Sequence, residues 1–179
     1  MIRGFKGKVP RIDESAFISE AAYVIGDVEI GENSSVWPGA VLKGDFRHQQ
    51  NDGPLVIGED THIEDNAVIH FTRQIGDHVV IGHGAVVEAT TVGNNVLIGN
   101  NATVLFGSEI GNFCVIAAGA LVLEGMKIPD GSFITGVPGK IKGKISAEQI
   151  AFMEKGLTLL KQTIRDHKEA ESTATGDAL

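Results

Sequence analysis

An aliphatic side chain returns at every sixth residue from Ile57 through Ile63, Ile69, Ile75 and Ile81 to Val87. The same beat resumes at Val92, Ile98, Val104, Ile110, Ile116, Val122, Ile128 and Ile134. Upstream it fits Ile12, Ile18, Val24, Ile30, Val36 and Leu42. Only the step from Val87 to Val92 is five residues instead of six. A period of six suits neither an amphipathic helix nor a long alternating strand. It suits short strands joined by sharp turns, coiled so that each coil buries its aliphatic row on the coils above and below, which is a β-solenoid. The fifth place of the unit is small at Ser34, Ala40, Ala67, Ala85, Ala102, Cys114 and Ala120, as a tight interior requires. The 23 glycines against 5 prolines fit repeated turns better than disorder.

This pattern resembles the hexapeptide-repeat, left-handed parallel β-helix, in which three units make one triangular coil of 18 residues; the hand and the three-sided section come from that resemblance alone. The expected fold is mainly β, a left-handed parallel β-helix of hexapeptide repeats over residues 1–140 followed by a C-terminal α-helix. After Leu42 the frame calls for a unit at 48, yet the next clear unit begins at Ile57. Residues 46–56, with Asn51, Asp52, Gly53 and Pro54 as turn formers, read as a loop thrown from one corner, either covering a site or a tolerated insertion. Beyond residue 140 the period changes. Ser146 and Gln149 form a capping-box pattern, and Ile150, Met153, Leu157, Leu160 and Ile164 follow at spacings of three and four. They predict an amphipathic helix within 141–169, packed on the solenoid or on a neighbour. Residues 170–179 read as a flexible tail.

With 15 Lys+Arg against 23 Asp+Glu the formal charge is -8, which argues against a nucleic-acid partner and against an anionic membrane surface. The first ten residues lack the apolar segment of a secretory signal, and no run reaches the 18 apolar residues of a membrane span. A cytoplasmic protein with a small ligand is expected. The single cysteine, Cys114, points inward in the frame and reads as a small buried residue.

The histidines divide by their places in the frame. His48 falls in the loop, His62 and His78 at variable turn positions and His167 on the polar part of the helix; all four read as solvated side chains. His70 and Glu88 both hold the second place of their units and are 18 residues apart, so they stack on one face about 4.8 Å apart. His83 holds a third place, above Asp65, in a column on another face. Across a threefold interface two such faces meet, so a site made of all three requires an oligomer.

The segments AVLKGDF, HIEDNAVIH, VIGHGAVVEATTVGNNVLIG and ITGVPGK, spread over residues 10–140, resemble the γ-class carbonic anhydrases and their hexapeptide-repeat relatives. In that family two histidines of one subunit and one of the next hold zinc or iron in a trimer, at positions matching His70, His83 and 88. The resemblance implies a homotrimer with its site at the subunit interface and a bound Zn2+, with Fe2+ or another divalent ion as alternatives. It implies reversible hydration of CO2 to bicarbonate by a metal-bound hydroxide. Glu64 or Asp65 would orient water or shuttle protons, and Lys43 and Asp45 would stand in the segment that the family opens with Arg-Gly-Asp. Three positions depart from the pattern. Glu88 replaces the third histidine, Lys43 replaces an Arg and lacks its planar fork, and Glu64 replaces a Gln and adds negative charge. Two histidines with one carboxylate still form a known set for zinc or non-haem iron. The expectation is therefore a retained metal with weak hydration activity. Two other functions compete: a coenzyme A-dependent acyltransferase using His48 as base, and a non-catalytic structural or regulatory trimer whose metal site has decayed.

Overall fold

The computed structural model describes residues 1–45 and 53–176, with side chains through residue 170. The six-residue frame becomes three sheets of seven, seven and eight strands. The first sheet runs from Ile2–Arg3 to Leu121–Val122, the second from Arg11–Ile12 to Lys127–Ile128, and the third from Phe17–Ile18 to Lys140–Lys144. Consecutive strands fall in different sheets, and every pairing between strands is parallel except that of Ser132–Thr135 with Lys140–Lys144. The result is a parallel β-helix. Most strands are two residues long because a left-handed residue ends them three places after the buried aliphatic. Asn33, Asp60, Asn66, Asn95 and Asn101 fill that place in some corners, glycine in others, and His78 and Phe113 in two more. Glycine, Asn and Asp enter the left-handed region at least cost.

The aliphatic beat becomes continuous columns. In the second sheet Ile57, Ile75, Val92, Ile110 and Ile128 are successive register partners, none more than 4 % exposed. Burying each such side chain is worth about 1.5–3 kcal/mol, so the column pins the register of the coils. Cys114, at a small inward place, is fully buried. One corner column is also tied by side chains: Asp77, Asn94, Asn112 and Asp130 each accept, through Oδ1, the backbone N–H of the coil before, at 2.8–3.0 Å. Backbones run too close there for side chains everywhere. A Cβ on Gly31 would lie 2.8 Å from the carbonyl carbon of Gly58.

Departures from the beat surface at corners. Leu42 pairs with Ile69 although 27 residues separate them (69 − 42), nine more than a coil. The strand Val41–Gly44 ends at Gly44, and the chain is back in register earlier than the expected boundary at 56. Leu55–Ile57 is already a strand, with Leu55 and Ile57 buried against Val28 and Ile30, because that alternation extends the unit by one inward residue. Residues 46–52, including His48, lie outside the described residues. The five-residue step makes Val87 pair with Val104, 17 residues on.

The C-terminal helix spans Ala147–Gly176, capped as expected: Gln149 N–H donates to Ser146 Oγ and Ser146 N–H to Gln149 Oε1. It continues beyond the expected limit at 169, since no helix breaker stands between Ala170 and Gly176. Residues 177–179 lie outside the described residues. The helix lies on the third sheet of its own chain. Met153 and Ile164 are buried, Ile164 with Phe17 and Trp37. Lys161 Nζ lies 2.9 Å from Asp60 Oδ1, and Lys168 donates to the Ser15 carbonyl at 2.6 Å. His167 is exposed, as expected, yet its ring packs on Trp37 at 5.1 Å and on Phe17 at 5.6 Å. Among the described residues no helix is long and apolar enough to cross a membrane.

This helical cover corrects the expectation for His62. Phe17, Ser35 and His62 are register partners pointing out of the solenoid, but all three are buried. Trp37 Nε1–H donates to Ser35 Oγ at 2.8 Å, and Ser35 lies 2.9 Å from His62 Nδ1. His62 Nε2 is buried without a hydrogen-bond partner among the described residues, so a second proton on the ring would have nothing to donate to. Burial pushes the His62 pKa from 6.5 down to about 4, with Asp60 opposing weakly. The unfolded chain takes a proton that the folded chain refuses, so this contribution to stability is complete above pH 6.5 and lost as pH falls through 4. Urea unfolding between pH 7 and 4 should show a loss of roughly 3 kcal/mol from this group that is missing in His62→Gln. Equal pH slopes in the two proteins would contradict the assignment.

Candidate metal centre

Three stacked corners of the first sheet break the regular turn. Leu42, Ile69, Val87 and Val104 are successive register partners. The corner after Leu42 carries the insertion, the corner after Ile69 has its left-handed residue one place early, at Phe71, and the corner after Val87 is the five-residue step. Lys43, Asp45, His70 and Glu88 all project from these three corners. The backbone fixes them firmly: His70 N–H donates to the Val87 carbonyl at 3.1 Å, Glu88 N–H donates to the Val104 carbonyl at 2.8 Å, and Thr72 Oγ1 donates to the Val87 carbonyl at 3.2 Å. Asp45 bridges the group, with Oδ2 3.6 Å from Lys43 Nζ and Oδ1 3.9 Å from His70 Nε2. Burial, aided by Lys43, pushes the His70 pKa down against the opposing pull of Asp45 and Glu88. The imidazole is therefore neutral at physiological pH and keeps a lone pair for a Lewis acid.

A second group lies on the corner of the third sheet. His83 is exposed, with Nδ1 3.0 Å from Asp65 Oδ2 and Nε2 3.4 Å from Glu64 Oε2; potential ligand atoms of Glu64, Asp65 and His83 all lie within 4.8 Å of one another. Gly84 N–H donates to the Asp65 carbonyl at 2.9 Å, and His83 N–H to Asn100 Oδ1 at 3.1 Å. Burial raises the Glu64 pKa, with Asp65 adding to the shift and His83 opposing it. A carboxylate beside Nδ1 favours the tautomer protonated there and leaves Nε2 as the donor atom. Nε2 and Glu64 Oε2 then face each other across 3.4 Å, close enough for both to ligate one cation. Both sequence columns are thus present, His70 beside Glu88 and His83 beside Asp65, on corners of different sheets. Sequence reasoning missed Thr72, Phe71 and Phe106; the signal available was an aromatic, Phe71, next to a candidate ligand in a turn.

Over 170 residues, 89% of the chain, the sequence is 36% identical to the mitochondrial gamma carbonic anhydrase 1 of Arabidopsis thaliana. Over 164 residues, 88% of the chain and 99% of the relative, it is 38% identical to a probable carbonic anhydrase of Methanocaldococcus jannaschii. The chain belongs to the γ-class carbonic anhydrase-like family of hexapeptide-repeat proteins. It spans 60% of the length of the plant relative. Residues 89–124 match the bacterial transferase hexapeptide family (six repeats). The crystal structure of a putative acetyltransferase from Bacillus cereus superposes with a TM-score of 0.84 at 31% identity, covering 94% of this chain and 97% of that one.

The γ-class family implies a divalent metal, and the residues present fit one. The donors are imidazole nitrogen and carboxylate oxygen, the set that suits zinc or non-haem iron, while the one thiol is sequestered in the core. Asp45 Oδ1 is buried without a hydrogen-bond partner among the described residues, and it faces His70 Nε2. An orphaned carboxylate oxygen beside a neutral imidazole is the environment that a cation, or a water held by one, would satisfy.

Proposed function

We propose that this protein catalyses the reversible hydration of CO2 to bicarbonate as a homotrimer. Each site takes a divalent ion, Zn2+ first and Fe2+ as the alternative, on His70 and Glu88 of one subunit and His83 of the next. The observation that carries this reading is the division of the ligands: two share one corner column, while the third sits on another sheet with its own orienting carboxylate, Asp65. Assembly is supported by the outward row of the first sheet. Tyr23, Val41, Val68, Val86 and Leu121 stack as half-buried, mostly apolar register partners, with Thr103 among them, on a face well suited to a neighbour.

A bound divalent ion supplies the Lewis-acid charge that makes water a nucleophile at neutral pH. The chain's residues then divide the remaining work. Glu64, its pKa raised by burial, holds and passes a proton next to His83 Nε2. Asp65 fixes the His83 ring from its Nδ1 side. Lys43, 3.6 Å from Asp45, offers a single cationic point to the departing bicarbonate, where a guanidinium would offer two parallel donors. Glu88 brings a negative charge into the donor set where an imidazole would bring none, and so offsets part of the positive charge on which activation depends.

Weak hydration at neutral pH follows. Stopped-flow CO2 hydration on zinc-loaded protein should show low turnover, and Glu88→His should raise kcat/KM at least about tenfold. Wild-type turnover near the ~10⁶ s⁻¹ of an efficient anhydrase would sink the role given to Glu88. Elemental analysis that finds no metal across several preparations would leave a non-catalytic trimer with a decayed site.

An acyltransferase is the second reading, supported by the match to the Bacillus cereus putative acetyltransferase. His48, the base it would use, lies outside the described residues. Acetyl-CoA at a hundredfold excess over its Kd would stabilise an acyltransferase by about 2.7 kcal/mol. The CO2-hydration reading predicts no shift in thermal midpoint, and a clear rise would favour acyl transfer.

A further inference from the structure

The corner that carries His70 breaks the turn rule of its neighbours. Asp60, Asn66, His78 and Gly84 each stand in the left-handed region three places after a buried isoleucine. After Ile69 the left-handed residue comes two places on and is Phe71, at φ 57°. For a bulky side chain this conformation crowds Cβ against the following carbonyl, and glycine would adopt it freely. Phe113, in the regular place after Ile110, takes the same conformation at φ 53°, so what sets Phe71 apart is its early place in the corner and what its ring meets. The consequence is visible in the rings. The Phe71 ring centroid lies 3.7 Å from that of the His70 imidazole, tilted by 36°, and Phe106, from the corner after Val104, meets Phe71 edge-on at 5.6 Å. Thr72 Oγ1 bonds to backbone on both sides, to the His70 carbonyl at 3.3 Å and the Val87 carbonyl at 3.2 Å.

We propose that Phe71 is a positioning residue for His70. Its ring, held by a left-handed backbone and backed by Phe106, fixes the plane of the imidazole so that Nε2 stays turned toward Asp45. The idea rests on the metal reading given above for what His70 does, but the stacking itself is independent of it. A side chain that only filled space would be replaceable by leucine. A positioning ring is not, although tyrosine should replace it.

Phe71→Gly, Phe71→Leu and Phe71→Tyr in the assembled, full-length protein separate these cases through two readouts. In metal-free protein the His70 ring-proton resonance, assigned by its loss in His70→Gln, should lie upfield in wild type and Phe71→Tyr and move to an unstacked position in Phe71→Leu and Phe71→Gly. Zn2+ affinity by chelator competition should fall about 10–100-fold in Phe71→Leu and Phe71→Gly and stay close to wild type in Phe71→Tyr. An unmoved His70 resonance, or wild-type Zn2+ affinity in both Phe71→Leu and Phe71→Gly, overturns the proposal. If wild-type protein takes up no Zn2+, the metal reading fails and the His70 resonance alone decides whether Phe71 positions the ring.

Discussion

Everything in this molecule depends on the stacking of aliphatic side chains between parallel coils. Ile57, Ile75, Val92, Ile110 and Ile128 face the same neighbours above and below, and a slip of one residue would turn such a column toward solvent. Changes in chain length therefore cannot be absorbed within strands and appear at corners. Two such changes, the insertion after Leu42 and the short step after Val87, flank the corner after Ile69, which keeps its length but takes its left-handed residue early, at Phe71. The irregular backbone and the candidate metal ligands occupy the same place because the corner is the only part of the coil free to vary.

The electrostatics follow from that placement. Asp45, Glu64, Asp65 and Glu88 bring four carboxylates to corners that also carry two histidines, in a chain already at -8. Burial lowers the His70 pKa and raises that of Glu64, disfavouring the charged form of each, so the carboxylates have no histidine cation to offset them. A divalent cation complements that negative charge. In the proposed site Glu88 sharpens the balance: as a ligand it would favour holding the ion while weakening the charge that the ion can apply to water, so that reading has binding and turnover respond to position 88 in opposite directions.

Much of this was legible in the chain. The beat of Ile and Val defines the inward face of each strand, the gap after Leu42 marks the break between the strands Val41–Gly44 and Leu55–Ile57, and an 18-residue spacing puts His70 beside Glu88 and His83 beside Asp65. Other features were hidden for physical reasons. A six-residue frame distinguishes inside from outside of the solenoid, but it is blind to a second layer. His62 thus reads as a turn residue until the helix Ala147–Gly176 covers Phe17, Ser35 and His62 together. The frame fixes where the aliphatic side chain sits and leaves open where the left-handed residue falls, which is why the early turn at Phe71 was not legible from the beat. The early return at Leu55 came from an extra alternation too short to stand out as a unit.

The proposed division of one metal site between two subunits of a trimer is most directly tested by mixing chains. His70→Ala and His83→Ala each remove one ligand, and as separate homotrimers neither should bind Zn2+ tightly. Co-expressed, they form mixed trimers in which an intact His70 and Glu88 from the His83→Ala chain meet an intact His83 from the His70→Ala chain, giving one complete site per mixed trimer. Recovery of tight Zn2+ binding in the mixed trimers alone is the predicted result. Mixed trimers that bind no better than either parent, or tight binding by the His83→Ala homotrimer, would contradict it.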